Sequence, residues 1–221
     1  ILSSLAFNKK ISKNTFLVEG IENIEQVDIL NAGNLGYKIK LLAISELKNN
    51  KLLERVHPCL VLNNSYIANI DGVLNAIIVD GFPIGRTIFQ GEGAGPGPTT
   101  SALISDLCSI LRGDVKYPFG VSSKFRKQIK ILQYHKRKCS CYLRIEAKDR
   151  YGVLSSITKT LAKNKISIKR LIQIPDKIKM MASIIMVTHE SSEKNFENCL
   201  LTLMKNNFIM KKPVLIRIEN T

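Results

Sequence analysis

No stretch of the 221-residue sequence approaches the roughly 20 uninterrupted apolar residues that cross a bilayer. The longest candidates, such as 74–79 with its Asn75, are strand-sized, which excludes an integral membrane protein. Histidine is scarce: His57, His135 and His189 lie in different segments. With no serine elbow, no His pair at helical spacing and no cysteine beside an activating base, no hydrolytic constellation forms. The five cysteines (Cys59, Cys108, Cys139, Cys141, Cys199) are an odd set without disulfide-framework spacing, and no secretory signal opens the chain. A reducing cytoplasm is the expected location. Cys139-Ser-Cys141 has only His135 near it, short of the four ligands of a closed zinc site, so it is read as structural and no metal site is expected.

Acidic residues are also few, 18 against 33 Lys and Arg, for a net charge of +15. Such a surplus favours anionic partners. The lysines are scattered along the chain and no recognition motif accompanies them, so nucleic acid is not an expected partner. Only 123–138, with Lys124, Arg126, Lys127, Lys130, Lys136, Arg137 and Lys138, is a basic cluster, read as a solvated linker.

What is present suffices for a core. Hydrophobic residues make up 45% of the chain and charged residues 23%, which excludes wholesale disorder, and the length allows one large or two modest domains. Residues 1–7 read as the tail of an amphipathic helix, so the chain is expected to be truncated at its N-terminus. Apolar spacing predicts a helix over 22–35, stopped at Gly36 by a left-handed cap. Strands are predicted over 37–47, 52–62 and 71–79. Asp80-Gly81 predicts a hairpin turn, with 83–89 as the returning strand.

The loop Gly91-Glu-Gly-Ala-Gly-Pro-Gly-Pro-Thr-Thr-Ser101 then runs into a helix over 102–111, which Pro98 and Thr99 can start. Closely spaced glycines let backbone N–H groups approach an anion, and the helix N-terminus adds partial positive charge. The loop is no Walker A motif, because no Lys-Ser/Thr pair follows, and no dinucleotide fingerprint, because a hairpin precedes it. A plain strand-to-helix turn explains it equally well.

After the linker, the order is strand 141–147, helix 152–163, strands 166–174 and 180–188, helix 193–206 and strand 213–218. That β-α-β-β-α-β series is the ferredoxin-like plan. Asp149 stands where it can cap the first of these helices, and Gly152 leaves room for close backbone approach.

Several motifs resemble homoserine dehydrogenase in that family's order: residues 1–7, Glu19-Gly-Ile21, Gly36-Tyr-Lys-Ile-Lys-Leu-Leu42, Arg55-Val-His-Pro58, Val73-Leu-Asn-Ala76 and Gly91-Glu-Gly-Ala-Gly95 with Pro98-Thr-Thr-Ser-Ala102. Residues 141–221 resemble the ACT regulatory domain. The resemblance implies an α+β chain: residues 1–113 as the C-terminal part of a mixed-sheet catalytic and dimerisation domain, 114–138 as a basic linker, and 139–221 as a βαββαβ ACT domain. It implies NADP- or NAD-dependent interconversion of L-homoserine and L-aspartate 4-semialdehyde, on the route to threonine, methionine and isoleucine. The catalytic lysine is expected just upstream of Ile1, with the nucleotide-binding domain, so the chain carries no catalytic residue and is expected to be inactive alone. By the same resemblance Gly93, Ala94 and Gly95 contact cofactor, and Asp149, Gly152 and Val153 bind an amino-acid effector, threonine. A homodimer or higher homo-oligomer is implied. The alternative reading is a non-catalytic amino-acid-binding module.

Overall fold

The computed structural model describes residues 1–10, 16–114, 117, 119–176, 178 and 180–220. In chain order its helices and strands begin with α1 (Leu2–Ala6), β1 (Leu17–Val18), α2 (Gln26–Asn34), β2 (Tyr37–Lys48) and β3 (Lys51–Leu62). They continue with β4 (Leu74–Gly81), β5 (Gly85–Glu92), α3 (Pro96–Leu111) and β6 (Lys130–Ile131). The last are β7 (Lys138–Lys148), α4 (Val153–Lys163), β8 (Ile168–Asp176), β9 (Met181–Thr188), β10 (Ser191–Ser192), α5 (Glu193–Leu203) and β11 (Val214–Ile218). Two compact units divide the chain, 1–14 with 64–129 and 15–63 with 130–221.

Among the described residues, the larger unit is built on a nine-stranded mixed sheet. Asn49 and Asn50 take φ of +49° and +58°, a two-residue turn whose twist suits antiparallel strands. Accordingly β2 and β3 pair without a break from Tyr37↔Leu62 to Lys48↔Lys51. Along the other edge of β3 lie three short parallel partners end to end: β6 at Lys51 and Leu52, β1 at Arg55 and Val56, β11 at Cys59 and Leu60. Beyond β11 the order is β7, β9, β8, each antiparallel to the last. The series β7-α4-β8-β9-α5-β11 is therefore the ferredoxin-like plan expected from the sequence.

Alternation along β7 sends Cys139, Cys141, Leu143, Ile145 and Ala147 to one face, where they pack with Ile157 and Leu161 of α4 and Phe196 and Leu203 of α5. The opposite face carries Tyr142, which joins Ala32, Leu35, Leu60, Ile185, Val187 and Ile216 beneath α2. Each such aliphatic side chain, fully buried, is worth about 1.5–3 kcal/mol. Gly36, at φ +86°, ends α2 as the left-handed cap predicted. The helix starts at Gln26, later than spacing suggests, because Glu25 and Asp28 form a reciprocal capping box.

In the smaller unit β4 and β5 form a hairpin registered from Leu74↔Glu92 to Gly81↔Gly85. The turn is not at Asp80-Gly81: both residues pair within the ladder, and the chain reverses at Phe82-Pro83-Ile84. Pro83 has no N–H to give a ladder, which moves the turn onto it. Asp80 is used instead as a cross-strand partner, accepting from Arg86 Nε at 2.7 Å and Nη2 at 2.9 Å. Segment 114–138 is likewise not uniformly solvated. Arg126 lies 4.1 Å over the Phe119 ring, β6 joins the large sheet, and the Arg137 side chain is only 10% exposed.

Candidate functional site

Three places in the structure gather the groups that could carry chemistry. The first is the glycine loop. The Gly93 N–H donates to the Val73 carbonyl at 3.0 Å, extending the hairpin by one bond. Gly95 then turns at φ +120° as the N-cap of α3, a conformation that a side chain strongly disfavours. Pro96 is the first helical residue; the helix begins two residues before Pro98, since first-turn N–H groups lack partners anyway and proline there loses nothing. No side chain caps it, so Thr99 is not the cap expected. Gly93, Ala94 and Gly95 are thus brought together, exposed, at a strand-to-helix turn.

The second place is the turn from β7 into α4. Gly152, φ +82°, is the N-cap of α4 and Val153 its first residue. Asp149 does not cap this helix, as its position suggested. Its backbone N–H bonds the Met180 carbonyl at 3.1 Å, and its carboxylate accepts from Gln173 of β8 at 3.4 Å. The cap is made by a glycine conformation, leaving the Asp149 carboxylate at the surface beside β8. Leu171, Ile172 and Ile174 of that edge strand are exposed, so the turn and an apolar sheet edge form one surface.

The third place was not legible in the sequence. Arg55, Arg137 and Arg217 meet Glu19, Glu46, Glu193 and Glu219 in a largely buried lattice. Arg55 reaches Glu46 and, at 3.1 Å, Glu219; Arg137 bridges Glu219 and Glu193. Arg217 grips Glu193 at 2.9 Å and Glu19 at 2.6 Å. Burial pushes the Glu193 carboxyl upward, yet the charge and hydrogen bonds of Arg217 and the hydrogen bond from Cys139 outweigh it and hold it below the ordinary glutamate value. His57 and Cys59 lie against Glu219, the three ligand atoms within 4.8 Å of one another. Two guanidiniums already occupy the Glu219 carboxylate, which leaves a cation no free charge to neutralise there. Burial keeps the His57 imidazole below its ordinary value and raises the Cys59 thiol. The signal for this lattice is long-range, since β1, β3, β7 and β11 become neighbours only through the sheet. His135, by contrast, is exposed and pairs with Glu197 at 3.1 Å.

Comparison with known proteins fits this geometry. Residues 1–108 match the homoserine dehydrogenase family and residues 142–200 the ACT domain. A homoserine dehydrogenase of Helicobacter pylori is 36% identical over 220 residues, covering 100% of this chain and 52% of its own length. One from Neisseria gonorrhoeae is 33% identical, again over 100% of this chain and 52% of its own. The crystal structure of a homoserine dehydrogenase from Thiobacillus denitrificans superposes with a TM-score of 0.86 at 34% identity, over 99% of this chain and 51% of that one. The chain spans about half the length of these relatives. With a matching fold and the βαββαβ unit in place, residues 1–108 belong to the homoserine dehydrogenase family and residues 142–200 to the ACT domain.

Proposed function

We propose that the chain is the C-terminal part of an NADP- or NAD-dependent dehydrogenase that interconverts L-homoserine and L-aspartate 4-semialdehyde. In this reading it works in the cytoplasm, on the route to threonine, methionine and isoleucine. Its modules are 1–113, from the catalytic and dimerisation domain, the linker 114–138, and the ACT domain 139–221. The observation that carries the reading is the exposed Gly93–Gly95 turn at the start of α3, where the N-cap Gly95 gives the helix no side-chain capping bond. Gly95 at φ +120° admits no ordinary side chain, so the loop fits a ligand group laid directly on the main chain.

When bound, the nicotinamide supplies the hydride acceptor or donor. This chain's share is binding and orientation, through the backbone of Gly93, Ala94 and Gly95. Asp149, Gly152 and Val153 then hold a threonine effector at the exposed edge by β8, with pairing of two copies completing that site. A coupling of about 1–3 kcal/mol between effector and catalytic sites is enough for useful inhibition. The complete core of the βαββαβ unit favours one second reading, a non-catalytic amino-acid sensor.

Hydride transfer at 340 nm decides between the two readings. It should be absent from the 221-residue chain, present in the longest polypeptide the reading frame encodes, and lowered by threonine there. No dinucleotide reduction by that polypeptide, with threonine still bound, establishes the sensor instead.

A further inference from the structure

We infer that Asn75 is a positioning residue for the Gly93–Gly95 loop: its carboxamide fills the place a Gly93 side chain would take, and so sets where an acceptor group of the dinucleotide can reach the loop backbone. This rests on the reading that the loop meets the cofactor. Asn75 stands opposite Gly91 in the hairpin ladder, which makes Gly93 its diagonal neighbour. A Cβ added to Gly93 would lie 1.4 Å from Asn75 Nδ2 and 2.6 Å from its Cγ, whereas one added to Gly91 meets nothing within 4 Å.

The two glycines of the loop therefore answer different needs. Gly95 is required by its backbone conformation, at φ +120°, but Gly93 is not among the residues of positive φ. What Gly93 provides is room for the amide of Asn75. Around that amide the neighbours are bare main chain, Gly91 opposite and Gly93 diagonal, with the Gly93 N–H already given to Val73. No described residue hydrogen-bonds the Asn75 carboxamide, and Asn75 is exposed, so its two N–H donors are left for solvent or a ligand. A hydrocarbon side chain would fill the same space without donors.

The test uses the longest encoded polypeptide carrying Asn75→Ala, Asn75→Asp, Gly93→Ala, or Asn75→Ala with Gly93→Ala. Each single variant should raise KM for the dinucleotide about 3- to 10-fold, the weight of one hydrogen bond, with KM for homoserine unchanged. Gly93→Ala shares the defect because its methyl evicts the amide, so the double variant should be no worse than either single. Asn75→Asp keeps the shape and loses the donors; wild-type dinucleotide KM in that variant, or additive effects in the double, overturns the inference and leaves a packing contact only. Thermal denaturation alongside identifies any variant that loses its fold, and Asn75→Asp then decides alone. If the unsubstituted polypeptide neither binds nor reduces dinucleotide, the functional reading fails and Asn75 with it; an active polypeptide indifferent to all four changes sinks Asn75 by itself.

Discussion

Arg144 clamps Asp28 with two hydrogen bonds, Nε to Oδ1 at 2.7 Å and Nη2 to Oδ2 at 2.9 Å, in a place where neither side chain is more than 2% exposed. The pair fastens α2 to β7. Asp28 also accepts from Tyr142 and from the Glu25 N–H, so one carboxylate serves a helix cap, a phenol and a guanidinium. Removing it by Asp28→Ala leaves the buried Arg144 only Glu146 at 3.1 Å and Glu25 at 3.5 Å and takes away the cap, at a cost of up to about 3–5 kcal/mol. Arg144→Met in turn leaves the Asp28 carboxylate buried without its cation and should cost a similar amount, whereas Asp28→Asn with Arg144→Met, which removes both charges, should cost less than the sum of the single changes. Urea denaturation of the single and double variants checks this; strictly additive losses would mean the pair is not the source.

Acid should weaken the larger unit before its carboxylates titrate. Burial holds the His57 pKa in the folded chain below the 6.5 of a free imidazole, and Arg217 and Arg137 add to that while the Pro58 carbonyl and Glu219 oppose it. The unfolded chain therefore takes up a proton first, and stability falls as pH drops below 6.5, by at most about 1.4 kcal/mol per pH unit. Glu193 and Glu46, held below 4.5 by their arginines against the pull of burial, add their losses only at lower pH. A His57→Gln variant should show a flatter stability curve between pH 6.5 and 5 than the parent chain.

Thiol labelling should follow burial. Cys59, Cys139, Cys141 and Cys199 are buried and Cys108 is half-buried. Burial also raises the Cys199 thiol to about 11, so almost no thiolate is present at neutral pH. Iodoacetamide on the native chain, read by mass spectrometry, should modify Cys108 first. Early labelling of Cys139 or Cys141 would contradict the packing of β7.

Glycine positions separate backbone strain from crowding. At Gly152, φ is +82° and a Cβ would meet nothing within 4 Å, so Gly152→Ala should cost only the left-handed conformation, about 1–2 kcal/mol. Gly152→Asn should recover part of it, because asparagine tolerates that region. Gly91→Ala, at ordinary φ and in open space, should be close to neutral. Differential scanning calorimetry on the three variants gives the ranking.

Much of the fold was legible in local pattern. The ends of β2 and β3, the left-handed cap at Gly36 and the βαββαβ series all follow from period and punctuation within a dozen residues. Local sequence places the hairpin turn two residues early, because Asp80-Gly81 looks like a turn in isolation and only the ladder shows that Pro83 must leave it. The Asn49-Asn50 turn rests on two residues that accept positive φ, between two strand-forming runs. In the candidate site, the glycine loop was visible as composition, but the Asn75 contact with Gly93 was not, since it depends on hairpin register. In sequence Arg137 reads as part of a solvated cluster because its partners Glu193 and Glu219 lie 56 and 82 residues away. Charges paired across a sheet leave no local trace.

The parallel pairing of β11 with β3 bears on how the chain is made. Cys59 and Leu60 of β3 find Arg217 and Ile218 only once β11 has been made, long after β3 itself. Until then β3 carries part of one edge without its neighbour, beside a β7 whose own partner β11 is also unmade. Such late closure gives a high contact order and a slow final step, during which two open strand edges are exposed to other nascent chains. A ribosome stalled before Val214 would therefore display an aggregation-prone intermediate, and the delay between the synthesis of β3 and that of β11 becomes a determinant of yield.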